Sequence, residues 1–204
     1  DPYTKFSAYH GYWPINPTVL NPHFGTEEQL KEMLEEAHKR NINVIVDYVA
    51  NHLHQSSPIL KEHPDWVTPM YTEDGRLNVR LFDDERLTTW FDTFLPTLDL
   101  EKEEVREAMT DSALYWIRHY DFDGFRHDAA KHIPESYWRL LTKKIRKERN
   151  WNHLYQIGET YGSVELVRSY VKSGMLDGQF DFNVYHTAVK VFGLDAVSYT
   201  HLRA

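Results

Sequence analysis

Three times along this chain a short apolar run ends in polar and ionisable residues, and amphipathic helices fall between the runs. The runs are Ile42 to Val49, bearing Asp47 and followed by Asn51 and His52; Phe122 to Asp128, ending in Arg-His-Asp; and Leu154 to Glu159, ending in Gly-Glu. Strands that alternate with helices at this spacing make right-handed βαβ crossovers and therefore a parallel sheet. The first run, with Ile42, Val44, Ile45, Val46 and Val49, has the β-branched density of a strand buried on both faces. Ionisable residues gathered where parallel strands end are the arrangement of an α/β barrel, whose chemistry sits at the carboxyl ends of its strands.

The connecting helices are written just as locally. Thr26 with Gln29 three residues on is a capping-box pattern, Leu30, Met33, Leu34 and Ala37 supply one apolar face, and Asn41 is the stop. Further helices are expected over Lys102 to Tyr120 (apolar Val105, Ala108, Met109, Leu114, Ile117), Glu135 to Arg149 and Val164 to Lys172, with a fourth strand around Gln179 to Asn183. Between Leu53 and Asp99 periodicity fails among Pro, Asp, Trp and Thr. That stretch is too long for a simple loop and reads as an inserted subdomain. About four strands are legible, roughly half of the eight that a closed (β/α)8, or TIM, barrel needs.

Composition narrows the partners. The 204 residues carry a net charge of -8, and basic residues cluster only along the helix from Lys143 to Arg149, so a nucleic-acid backbone is not the expected ligand. No apolar run approaches the roughly 18 residues of a membrane span. Cysteine is absent, which excludes disulfides and thiolate metal sites and leaves the compartment open. Aromatic residues reach 14%, suited to stacking on sugar rings and equally to core packing.

Asp128 and Glu159 are the strongest chemical pair, each at the end of its own strand with one helix between them. Two carboxylates about 5 to 5.5 Å apart can cleave a glycosidic bond, one attacking the anomeric carbon and the other protonating the leaving oxygen. Burial and a charged neighbour are expected to raise the pKa of Glu159, while Arg126, on the same strand face as Asp128, keeps Asp128 ionised. Salt-bridge or capping duty is the bland alternative for both carboxylates. A rival reading takes His52 and His54, with His127, Asp128 and His132, as ligands of a metal-dependent amidohydrolase. Strand alternation counts against it, since His127 must point opposite to Arg126 and Asp128, outward to a helix.

The segments "VIVDYVANH" (44–52), "DGFRHDAAKH" (123–132) and "YQIGET" (155–160), with "AYHGYW" (8–13) and "FLPTLDL" (94–100), together resemble five ordered segments of the α-amylase family of glycoside hydrolases. The resemblance implies part of a TIM barrel over residues 1–196, with the inserted subdomain (about 53–99) following the family's third strand. It implies Asp128 as nucleophile, Glu159 as general acid/base and Arg126 as support for the nucleophile. It implies His10, Tyr12 and His52 around the reacting sugar, Lys131 and His132 on the leaving-group side, and an oligo- or polysaccharide substrate. Asp47 matches an architectural carboxylate. Asn51 matches a calcium ligand, with Asp92 of the insertion a candidate second one; a hard cation needs six or more oxygens.

A further family segment, ending in His-Asp on the seventh strand, is not in the sequence, so the resemblance implies a site with two of three carboxylates and barrel faces left open, hence a fragment inactive by itself. Val197 to Ala204, "VSYTHLRA", resembles a translated library adapter and is expected to be a non-native tail. The leading reading is a retaining α-glycosidase acting on α-1,4-glucans or malto-oligosaccharides. A transglycosylase or glucoside isomerase on the same machinery, a non-catalytic relative, and the amidohydrolase are the alternatives.

Overall fold

The computed structural model describes residues 8–150 and 152–193, so the proposed tail lies outside the described residues. Among these residues four strands form one parallel sheet in sequence order: β1 (Ile45–Tyr48), β2 (Gly124–His127), β3 (Tyr155–Gly158) and β4 (Gly178–Gln179). The helices are α1 (Glu27–Lys39), α2 (Pro58–Glu62), α3 (Glu103–His119), α4 (Glu135–Glu148), α5 (Val164–Ser169) and α6 (Phe182–Ala188). No described helix is long and apolar enough to cross a membrane.

Helix α1 begins as its sequence requires. Thr26 accepts from the Gln29 amide at 3.3 Å, and the Gln29 side chain returns a bond to the Thr26 amide at 2.9 Å. Arg40 closes the helix, and Asn41 takes the left-handed conformation at φ 57° that turns the chain into the next strand. Helices α3 and α4 cover one face of the sheet. Val105, Met109, Ala113 and Leu114 of α3 meet Tyr137, Trp138, Leu141 and Ile145 of α4 over Tyr48 and Phe125, all buried. Fully burying one such side chain contributes about 1.5 to 3 kcal/mol.

Pairing in register requires close approach at one point. A Cβ on Gly124 would lie 2.2 Å from the Tyr155 carbonyl oxygen, so only glycine lets β2 lie against β3 there.

The other face of the sheet is the one that carries chemistry, and it differs from expectation. Ile45 and Asp47 on β1 are exposed while Tyr48 is buried, because helices cover only the Val46 and Tyr48 side and β1 is an edge strand. Within this part of the barrel, then, β1 is covered on one face only. The fourth strand is also shorter and earlier than the expected 179–183. Asp181 accepts from the Val184 amide at 3.0 Å and starts α6, which makes Phe182 and Asn183 helical. Helix α5 stops at Ser169, and Tyr170 turns inward to 2% exposure.

The inserted segment, 53–99, has little regular structure beyond α2, a 3-10 turn at Pro64–Trp66 and isolated bridges, such as Val67 with Leu98 and Thr97 with His52. Buried threonines hold it. Thr68 Oγ1 donates to the Thr88 carbonyl at 2.6 Å, Thr97 Oγ1 to that of Thr89 at 2.6 Å, and Trp90 Nε1 to that of Thr68 at 3.0 Å. Such polar contacts carry no hydrophobic periodicity, which is why the sequence shows no regular pattern here.

Candidate active site

Backbone pairing continues one residue past each strand and sets the carboxylates in place. The Asp128 amide donates to the Tyr48 carbonyl at 3.0 Å, and the Glu159 amide to that of His127 at 2.9 Å. Because side chains alternate, Asp47, Arg126, Asp128 and Glu159 all project on the face away from the helices. His127 projects the other way, fully buried, with Nε2 3.2 Å from Gln156 Oε1 and its ring against Trp138.

Arg126 is the hub. Its Nη1 donates to Asp47 Oδ1 and to Asp128 Oδ1, both at 2.7 Å, and its Nη2 lies 2.8 Å from Glu159 Oε2. Burial lowers the charged form of this guanidinium, but bonds to Asp47 and Asp128 outweigh it and its pKa is raised. Ala129, immediately after Asp128, sits in the left-handed region at φ 48° and ψ 36°. Its amide points at Glu159 Oε2, 3.4 Å away. A non-glycine residue held there costs on the order of 1 to 2 kcal/mol, and such strain concentrates at functional sites.

The two carboxylates differ in burial. The Asp128 side chain is 11% exposed against 34% for Glu159. Burial raises the Asp128 carboxyl to about 6, with Glu159 and Asp47 adding to the shift and Arg126 opposing it. The sequence led to the expectation that Arg126 keeps Asp128 ionised; burial works against that and raises its pKa.

Tyr12 closes one side. Its hydroxyl donates to Asp47 Oδ2 at 2.8 Å, its ring faces the Arg126 guanidinium at 5.4 Å, and burial with the Asp47 bond raises its pKa to about 12. His10 stacks on Tyr12 at 5.7 Å and accepts from the Tyr12 amide through Nδ1 at 3.0 Å. His52 supports this loop from beneath, with Nε2 3.0 Å from the Tyr12 carbonyl. Buried His52 and His132 are each lowered to about 4 and therefore neutral. The Phe91 ring packs between them, at 4.7 Å from His52 and 4.9 Å from His132. Phe91 belongs to the inserted segment, and no local pattern in the sequence pointed to it.

Lys131 and His132 lie on the opposite side, in a short 3-10 turn over Ala130–His132. The Lys131 ammonium pairs with Asp83, and His132 Nδ1 lies 2.7 Å from the Arg86 carbonyl. Neither residue contacts the central carboxylates through a hydrogen bond.

The residues expected to hold calcium fit unequally. Asn51 is fully buried and its Oδ1 has no hydrogen-bond partner, as an oxygen awaiting a ligand would be. Asp92 is taken by Arg80 at 2.5 Å and by the Thr93 amide at 2.8 Å, so it is not free to meet a cation. His52 and His54 do not converge with a third ligand, and among the described residues no group of three His, Cys, Asp or Glu is placed to hold a metal.

The sequence matches the family model "Alpha amylase, catalytic domain" over residues 2–75 and 81–204. The chain belongs to the α-amylase family of glycoside hydrolases. Among its relatives is Alpha-amylase 2 of Dictyoglomus thermophilum, 28% identical over 90% of this chain and 31% of the relative. The α-amylase of Geobacillus thermoleovorans, solved in complex with acarbose, is 33% identical with a TM-score of 0.76, covering 88% of this chain and 39% of that one. An Anoxybacillus α-amylase is 30% identical with a TM-score of 0.79, covering 93% and 41%. The chain thus spans about a third of the length of the curated relative and two-fifths of the solved ones. As an α-amylase-family catalytic segment, its four-stranded sheet is part of a TIM barrel.

Proposed function

We propose that this segment supplies two of the catalytic carboxylates of a retaining α-glycosidase that acts on α-1,4-glucans or malto-oligosaccharides. The observation that carries the reading is the single guanidinium of Arg126 bonded to both Asp128 and Glu159, on one face of adjacent strand ends. Ionised Asp128 attacks the anomeric carbon as the glycosidic C–O bond breaks, and the proton of Glu159 passes to the departing oxygen. Water then gives a proton to Glu159 and its oxygen to the anomeric carbon, releasing Asp128. Two inversions leave the configuration retained.

Arg126 favours the charged Asp128 that attack requires, and the Asp47 and Tyr12 bonds fix Arg126 and the Tyr12 ring against the sugar. A structural calcium ion belongs to the same reading, with Asn51 the side chain in place to hold it beside the end of β1; it enters no chemical step. Product analysis tests the function. With maltoheptaose, the full-length enzyme carrying this chain should release products first seen as α-anomers, whereas β-anomers or no cleavage would overturn the reading.

A further inference from the structure

The inserted segment reaches across to the barrel strands at Arg86. Arg86 Nη1 donates to the Lys131 carbonyl at 2.5 Å and also to the Tyr170 hydroxyl. The Tyr170 hydroxyl lies 3.0 Å from the Lys131 carbonyl and 3.3 Å from that of Ile133, so the same short turn is gripped twice. The Arg86 carbonyl in turn accepts from His132 Nδ1 at 2.7 Å. Three residues earlier in the chain, Asp83 holds the Lys131 ammonium.

Arg86 and Tyr170 act beside other contacts on this turn, among them the His132 amide on the Ala129 carbonyl at 2.9 Å and the Phe91 ring on His132. The turn spans only Ala130–His132, is entered through left-handed Ala129, and has no side-chain cap. Its three residues are buried, and Tyr170 beneath them is 2% exposed. A cationic donor on a buried carbonyl makes one of the stronger neutral-acceptor bonds available to a protein. Arg86 makes no bond to Asp128, Glu159 or Arg126, so its influence on the site runs through Lys131 and His132.

We infer that Arg86 is a positioning residue for the leaving-group side of the site: it fixes the backbone from which Lys131 and His132 project, and thereby sets how strongly sugars beyond the scissile bond are held. The inference rests on the glycosidase reading above and on the leaving-group side that the family resemblance implies for Lys131 and His132. The inserted segment, on this account, tunes acceptor-side specificity without touching the reacting carboxylates.

Two substrates separate this from a general structural role. Maltoheptaose places sugars on the leaving-group side, while α-maltosyl fluoride has only fluoride there. In the full-length enzyme, Arg86→Met should lower kcat/KM for maltoheptaose about tenfold, mainly through KM, and change it less than about twofold for the fluoride. Tyr170→Phe, which keeps the buried ring, should give the same split more weakly, and Arg86→Lys should recover part of the loss. Equal losses on both substrates, or none on either, would overturn the inference while leaving the glycosidase reading intact. Failure of the wild-type enzyme to cleave either substrate would overturn both.

Discussion

Arg126 Nη1 sits 2.7 Å from Asp128 Oδ1, two residues along the same strand end, so alternation alone puts the cation and the carboxylate on one face. The second nitrogen of that guanidinium reaches Glu159 on the neighbouring strand. One cation therefore serves both members of the proposed pair, although they differ threefold in side-chain exposure. Buried Asp128 is suited to direct attack, and the more open Glu159 to exchanging protons with a leaving group and with water.

Glycosyl fluorides should separate these two duties. Fluoride leaves without needing a proton, so Glu159→Gln should slow maltoheptaose cleavage by about a hundredfold to ten-thousandfold and spare glycosyl transfer from α-maltosyl fluoride to the enzyme. Asp128→Asn should slow both by about a thousandfold or more. The burst of fluoride released before steady state, set beside the rate of maltoheptaose cleavage, checks this. Glu159 also takes the proton of water in the second step, so its loss slows steady-state turnover of both substrates. A fluoride burst slowed as much as maltoheptaose cleavage by Glu159→Gln would argue against the acid role.

The Asp128 carboxyl also sets a pH dependence. It is raised by burial to about 6, above the usual carboxylate range, so the folded state holds its proton longer than the unfolded chain does. Its contribution to stability is present below about pH 4 and is lost as pH rises through about 6. Asp128→Asn should therefore stabilise the fold at pH 7, by about 2 to 3 kcal/mol, and leave it nearly unchanged at pH 4. Denaturant unfolding at the two pH values measures the difference. The acid limb of kcat/KM should rise through the same region, near pH 6, as Asp128 loses its proton.

Tyr12 acts on the pair through Asp47. Tyr12→Phe keeps the ring over Arg126 but removes the 2.8 Å bond to Asp47. A loss of about 1 kcal/mol in transition-state stabilisation, roughly five- to tenfold in kcat/KM, is expected. Tyr12→Ala should cost distinctly more, since the stacking surface goes as well. Parallel kinetics of the two variants decides whether ring or hydroxyl matters.

Calcium binding should be visible through stability. Adding Ca2+ to chelator-treated enzyme should raise the unfolding temperature, and Asn51→Leu should abolish that response. An unchanged response in Asn51→Leu would remove Asn51 from the ion's ligands.

Much of the central site was legible because its determinants are local. Strand alternation sorts Arg126 and Asp128 from His127, and a capping box marks the start of α1. The links that assemble the periphery are not local. Phe91 between two histidines, Arg86 on Lys131 and Tyr170 beneath them join residues about 40 to 85 positions apart through single contacts, with no periodicity to announce them. The exposed face of β1 escaped for a related reason. A β-branched run states what a strand can bury, whereas what covers its second face lies in the rest of the barrel, beyond the four strands described.

The central claim is that Asp128 becomes covalently glycosylated. Incubation of the full-length enzyme with a deoxyfluoro-maltosyl fluoride, whose glycosyl-enzyme hydrolyses slowly, followed by peptide mass spectrometry, tests it directly. The account predicts one added glycosyl mass on the peptide containing Asp128, and none after Asp128→Asn. Adduct on another residue, or turnover of maltoheptaose with no inactivation and no adduct, would contradict it.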